Sequence, residues 1–71
     1  DLNEIPLPTE LMDYKEHLIQ AIRKGEANDA IPVDQFIVSE EKVFMLATGN
    51  YDLRLINCQG DLIATLELEI N

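Results

Sequence analysis

The chain has 71 residues, the length of one small domain, and its 14 acidic and 5 basic side chains give a formal net charge of −9. A hydrophobic fraction of 46% indicates a globular chain, while the acidity disfavours direct binding to nucleic acid or to an anionic membrane surface. No apolar run approaches the roughly 20 residues of a membrane span, and the single cysteine, Cys58, cannot form an internal disulfide, which favours a reducing, cytoplasmic location.

The first eight residues predict an extended arm, followed by a single small domain over residues 9–71. Pro6 and Pro8 disfavour helix in the residues that precede them. The arm also carries apolar side chains that are suited to docking on an apolar surface, namely Leu2, Ile5 and Leu7.

Residues 9–24 predict one helix. Thr9 suits the N-cap, and Gly25 suits the residue that follows a helix. Arg23 and Lys24 place positive charge in the last turn, where the helix dipole favours it. Between Thr9 and Gly25, apolar side chains recur at spacings of three and four residues and form one stripe: Leu11, Tyr14, Leu18, Ala21 and Ile22.

The second half of the chain predicts strands over residues 33–38, 43–48, 51–57 and 61–70. Gly49-Asn50 is a two-residue hairpin signal, and Asn57 to Gly60 suit a turn in which Gly60 adopts a positive φ. Two alternating segments each place apolar side chains on one face: Tyr51, Leu53 and Leu55 in the first, and the even-numbered residues from Leu62 to Ile70 in the second.

These elements predict an α+β fold, with one N-terminal helix packed on an antiparallel β-meander of three or four strands. The apolar stripe of the helix is expected to cover the alternating face of the sheet, since an antiparallel sheet needs only one covered face. The order of a helix followed by a meander is too common to identify a family.

The segment from Val43 to Ala47 is apolar on both faces, a pattern typical of a strand buried on both sides. One helix covers only one side of a sheet, so an apolar patch on the second face is expected to bind another protein or a second copy of the chain. The alternative is that the N-terminal arm folds over this patch. The residues assigned to it are Val43, Met45, Ala47, Ile56 and Ile63.

The surplus of acidic residues supports a second hypothesis. A small acidic protein of the phage anti-defence, immunity or antitoxin type would block a basic, nucleic-acid-binding surface of another protein, with charge steering the approach. The plainer interpretation is that the charge keeps a small domain soluble. The residues assigned to the acidic surface are Asp29, Asp34, Glu40 and Glu41.

The sequence contains no pattern that indicates catalysis or a cofactor. His17 and Cys58 are each the only residue of their type, and the three glycines suit turns rather than a phosphate-binding loop. Glu67 and Glu69 share a strand face, but their spacing does not match a calcium loop or a zinc site. We therefore predict a non-enzymatic interaction or oligomerisation module with no catalytic, cofactor-binding or metal-binding residues.

Overall fold

The computed structural model describes residues 1–27, 29–40 and 42–71, most of which lie in antiparallel strands or in the turns between them. The strands are β1 (Asn3–Pro6), β2 (Leu18–Arg23), β3 (Asp34–Ile37), β4 (Val43–Leu46), β5 (Gly49–Ile56) and β6 (Leu62–Ile70). Strands β1 and β4 form a two-stranded sheet, and the other four form a sheet in the order β3-β2-β5-β6.

The predicted helix over residues 9–24 is wrong, and so is the predicted α+β fold. The beginning of this segment forms only a 3-10 turn, Thr9–Leu11, and its end forms β2. Glu16, between the two, has a φ of 69°, which interrupts any helix. A short apolar run is ambiguous between a helix and a buried strand. Here β3 and β5 pair with the two edges of β2, so hydrogen bonding to neighbours distant in sequence selects the strand.

The four predicted strands are confirmed in position, but the meander is not. The hairpin predicted at Gly49-Asn50 is wrong, because β4 pairs with β1 in the other sheet while Gly49 and Asn50 begin β5. The turn at Asn57 to Gly60 is confirmed. Gly60 has a φ of 89°, and its N–H donates to the Asn57 carbonyl at 3.0 Å.

The core lies between the inner faces of the two sheets. Tyr51, Leu53 and Leu55 are buried there as predicted, and Phe36 packs on Phe44 with ring centroids 4.6 Å apart. Ile5 and Leu7 of the arm also pack into this core, the former from β1. The remaining buried members are Leu11, Ile19, Ala21, Val38, Leu46 and Ile70.

Asp34 connects the two sheets through its carboxylate. One oxygen accepts the Gln35 N–H at 2.9 Å, and the other accepts the Met45 N–H of β4 at 3.0 Å. The carboxylate thereby satisfies an amide at an edge of β4, where the described chain supplies no strand as a partner. Asp34 is half-buried, and both of these bonds are exposed to solvent.

We expect Asp34→Ala to lower the free energy of unfolding by roughly 1–3 kcal/mol, because it removes a charged acceptor from two backbone amides. Urea denaturation at neutral pH measures the loss. Asp29→Ala is the matched control, since Asp29 is exposed, and should change stability by less than about 0.5 kcal/mol. Equal stabilities of the two variants would contradict the structural role of Asp34.

Candidate interaction site

The predicted apolar patch is divided between two surfaces. Val43 and Met45 point away from the core on the two-stranded sheet and are 38% and 40% exposed, whereas Phe44 between them is fully buried. Val43 and Met45 are thus accessible on one face of β4, and Ala47, just after β4, is half-buried. Ile56 lies on the outer face of the four-stranded sheet, which points in the opposite direction.

Ile63, predicted to share the second face with Ile56, is not the strand partner of Ile56. The register between β5 and β6 shifts at Leu55/Ile56, so that Leu62 is the partner of Ile56 while Ala64 is the partner of Leu55. This bulge inserts Ile63 as an extra residue and moves Leu62 off the face that it was predicted to share with the other even-numbered residues.

The residues predicted to form an acidic surface lie in different segments with different roles. Asp34 is bound to backbone amides, Glu40 lines a groove near the two-stranded sheet, and Asp29 is exposed in the connection between β2 and β3. Glu41 lies outside the described residues. Because no contact brings the three described residues together, the acidic-inhibitor function stays a prediction from composition.

A groove of about 390 Å³ lies beside β4. Its walls are mainly apolar, with two lysines and one glutamate among them. No histidine, cysteine or tyrosine is among the residues that line it. The lining residues are Pro6, Leu7, Met12, Lys15, Ser39, Glu40, Lys42 and Val43.

His17 and Cys58, the single histidine and the single cysteine of the chain, lie next to backbone carbonyls. His17 Nδ1 lies 3.1 Å from the Lys15 oxygen, and the Cys58 thiol donates to the Glu16 carbonyl at 3.7 Å. No hydrogen bond joins these two described side chains. Among the residues that the structure describes, no three His, Cys, Asp or Glu side chains are grouped closely enough to hold a metal ion.

The outer edge of β6 is the longest strand edge left without a partner strand in the described chain. β6 has nine residues and pairs on one side only, with β5. The direction of its backbone groups follows from the ladder, in which N–H and C=O of successive residues point alternately to opposite sides. The Lys24 N–H donates to the Asn50 carbonyl at 3.0 Å. The backbone N–H and C=O groups of even-numbered residues in β5 therefore point to β2, and those of odd-numbered residues point to β6.

This alternation assigns the backbone groups at the open edge of β6. The odd-numbered residues of β5 pair with even-numbered residues of β6: Tyr51 with Leu68, Leu53 with Leu66 and Leu55 with Ala64. These residues of β6 therefore point their N–H and C=O groups toward β5. The N–H and C=O groups of Thr65 and Glu67 consequently point away from β5, in the plane of the sheet, where another strand can form hydrogen bonds with them.

The side chains along β6 make this edge apolar at its beginning. Residues 62–66 contain no charged side chain, and all of residues 62–65 are exposed. Leu62 and Ile63 are 49% and 45% exposed, and Leu66 and Leu68 are only half-buried although they face the core. We call residues 62–68 the β6 edge. Of the residues predicted for the interface, only Ile63 belongs to it.

The other edges of the described sheets are shorter or blocked. β1 and β3 have four residues each, and β1 ends in Pro6, which has no N–H to donate. At β4 the Met45 N–H is already bound by the Asp34 carboxylate. The β6 edge is therefore the longest and least obstructed open edge among the described strands.

Glu67 at the β6 edge forms an ion pair with Lys24, which reaches across β5. The Lys24 ammonium holds the pKa of the Glu67 carboxyl below its ordinary value of 4.5, chiefly through the side-chain hydrogen bond. The same hydrogen bond raises the pKa of Lys24. Both side chains are exposed to solvent, so the pair orients Glu67 more than it stabilises the fold.

We expect Lys24→Gln to raise the pKa of Glu67 towards its ordinary value of 4.5. Any stability from the lowered pKa is present above the unfolded-state pKa of Glu67 and is lost as the pH falls through the folded-state pKa, so the variant should differ least from the wild type in acid. A pH titration of the Glu67 carboxyl carbon by NMR measures the pKa. An unchanged midpoint in the variant would contradict the ion pair.

No family model, curated protein or solved structure matches this chain. In the described part of the chain, no helix has the length and the apolar character needed to cross a membrane. The guide to function is therefore the geometry of the chain itself.

Proposed function

We propose that this protein is a non-enzymatic interaction module that binds its partner by strand addition along the β6 edge. The observation that carries the proposal is a nine-residue edge strand whose first five residues are uncharged and whose Thr65 and Glu67 backbone groups point outward. Main-chain hydrogen bonds supply affinity in this mode, and alternating side chains supply specificity. The two sheets hold β6 in an extended form before the partner arrives.

Glu67 and Glu69 stand against this function, because charged side chains on an edge strand discourage pairing. They occupy only the end of β6, however, and Glu67 is already paired with Lys24. Residues 62–66 carry no comparable protection. A partner strand therefore pairs with the apolar half of the edge, and an uncharged partner side chain opposite Glu67 avoids repulsion between like charges.

Thr65→Pro tests this function, because proline removes the outward N–H at the centre of the edge and leaves the bonds between β5 and β6 in place. Thr65→Val is the matched control that retains the N–H. We expect tagged wild type and Thr65→Val to capture the same proteins from a lysate of the source cells, untagged copies of this chain included, and Thr65→Pro to lose them. Circular dichroism verifies that each variant is folded.

Hydrogen exchange identifies the bonded surface in a captured complex. The amides of Thr65 and Glu67 should exchange quickly in the free protein and become protected on binding, whereas those of Ala64 and Leu66 are protected in both states. Equal capture by a folded Thr65→Pro variant, or protection that appears elsewhere and not at the β6 edge, would overturn the proposed function.

A further inference from the structure

We infer that the strand added to β6 is β6 of a second copy, antiparallel to the first and related to it by a two-fold axis at Leu66. This inference rests on the proposed function and specifies its partner. The axis stands perpendicular to the sheet, so the two four-stranded sheets join into one of eight strands. Such a contact uses the same surface twice and closes on itself, giving a dimer rather than a fibre.

The direction of the backbone groups limits the possible registers. Because the outward groups in the regular part of β6 belong to odd-numbered residues, odd-numbered residues of the two copies must face each other. An axis at Leu66 places Thr65 opposite Glu67 of the second copy and Ala64 opposite its Leu68. Each carboxylate then lies opposite an uncharged side chain.

The neighbouring registers are less favourable because they oppose like charges. An axis at Glu67 places the two Glu67 side chains directly opposite each other, and like charges in that position destabilise a pair of strands. An axis at Thr65 uses less of the regular strand and brings Asp61 opposite Glu69 of the second copy. The Leu66 register avoids both oppositions while it pairs residues 64–68 of each copy.

The side chains on both faces of the sheet are complementary in this register. On the inner face, the half-buried Leu66 side chain lies opposite Leu66 of the second copy, and their contact removes apolar surface from water. On the outer face, Arg54 is the ladder neighbour of Thr65, and Thr65 in turn lies opposite Glu67 of the second copy. Strands are about 4.8 Å apart, so the arginine and that carboxylate are within reach of each other.

Sedimentation velocity over a concentration series tests the second copy as partner. We expect a concentration-dependent dimer whose dissociation constant rises roughly 10- to 100-fold in Thr65→Pro, which loses two outward N–H groups per dimer, and stays unchanged in Thr65→Val. Each copy carries a formal charge of −9, so added salt should strengthen the dimer by screening repulsion. A dimer that persists in Thr65→Pro would overturn the inference.

Disulfide crosslinking tests the register, in a Cys58→Ser background that removes the native thiol. Leu66→Cys places two cysteines across the axis as a non-hydrogen-bonded pair, with Cα atoms about 4.5 Å apart, within disulfide range. We expect it to crosslink on oxidation. Leu68→Cys is the control. Position 68 lies opposite position 64 of the second copy, so the two introduced cysteines are offset by four residues along the strands. Their Cα atoms are then roughly 13 Å apart, too far for a disulfide. Crosslinking of Leu68→Cys but not of Leu66→Cys would overturn this register.

The two proposals fail in distinguishable ways. A wild type that stays monomeric at every concentration, yet captures a different protein in a manner lost in Thr65→Pro, overturns the second copy as partner and supports strand addition. A monomer whose captured proteins are unaffected by Thr65→Pro overturns both.

Discussion

Replacing Phe44 by alanine is expected to leave most of the protein unfolded at 25 °C. Phe44 is fully buried, and its ring packs on Phe36 with centroids 4.6 Å apart. Removing a buried aromatic ring costs about 3–5 kcal/mol because the cavity it leaves is only partly refilled. A single core in a chain of this length supplies rarely more than about 3–5 kcal/mol in total, so one substitution is comparable to the whole stability.

The position of Phe44 increases this effect. It lies in β4, within a sheet of only two short strands, and such a sheet is not stable alone. Together with Leu46 it attaches this sheet to the four-stranded one. Urea denaturation followed by circular dichroism measures the loss. Met45→Ala is the control on the same strand, since Met45 is 40% exposed, and should unfold near the wild-type midpoint. A cooperative Phe44→Ala variant that loses less than about 1 kcal/mol would contradict the role of Phe44.

Tyr51 should show a graded loss of stability when it is shortened in two steps. Its side chain is 1% exposed, and its hydroxyl donates to the Ala47 carbonyl at 2.8 Å. Tyr51→Phe removes only this hydrogen bond and should cost about 1 kcal/mol. Tyr51→Ala also removes the ring, including its contact with Arg23, whose guanidinium carbon lies 5.3 Å from the ring centroid. The second step should add roughly 3–4 kcal/mol.

The Tyr51 series also tests the connection between the two sheets. Ala47 follows β4 and Tyr51 lies in β5, so the hydroxyl bond joins the end of one sheet to the centre of the other. Urea midpoints of the two variants give the two costs separately. If Tyr51→Phe were as destabilising as Tyr51→Ala, the ring would contribute little, contrary to its complete burial.

Strands β3 to β6 were predictable because side-chain alternation is a property of each segment alone. Tyr51, Leu53 and Leu55 alternate with polar residues, and their burial follows from that period of two. The turn at Gly60 was predictable for the same reason, since glycine readily adopts the positive φ found there and asparagine favours turns. The candidate site was only partly predictable. The sequence indicates a strand over residues 61–70, but the bulge that displaces Leu62 depends on pairing with β5.

The segment 9–24 shows why local signals failed. Thr9, the apolar stripe and Gly25 together meet the criteria for a helix, yet Ile19 and Ala21 equally suit one face of a strand. Pairing with β3 on one edge and β5 on the other satisfies the backbone groups of β2, and both of those strands are distant in sequence. No local pattern contains that information.

The sequence by itself determined that the chain is short and acidic, where four of its strands lie, and which face of β5 is buried. Only the tertiary structure decided that residues 18–23 form a central strand, that β4 leaves its neighbour to pair with β1, and that β6 keeps an open edge. The physical reason is that side-chain period and turn preference act within a few residues. Strand order depends instead on backbone hydrogen bonds and core contacts between segments that meet only when the chain is folded.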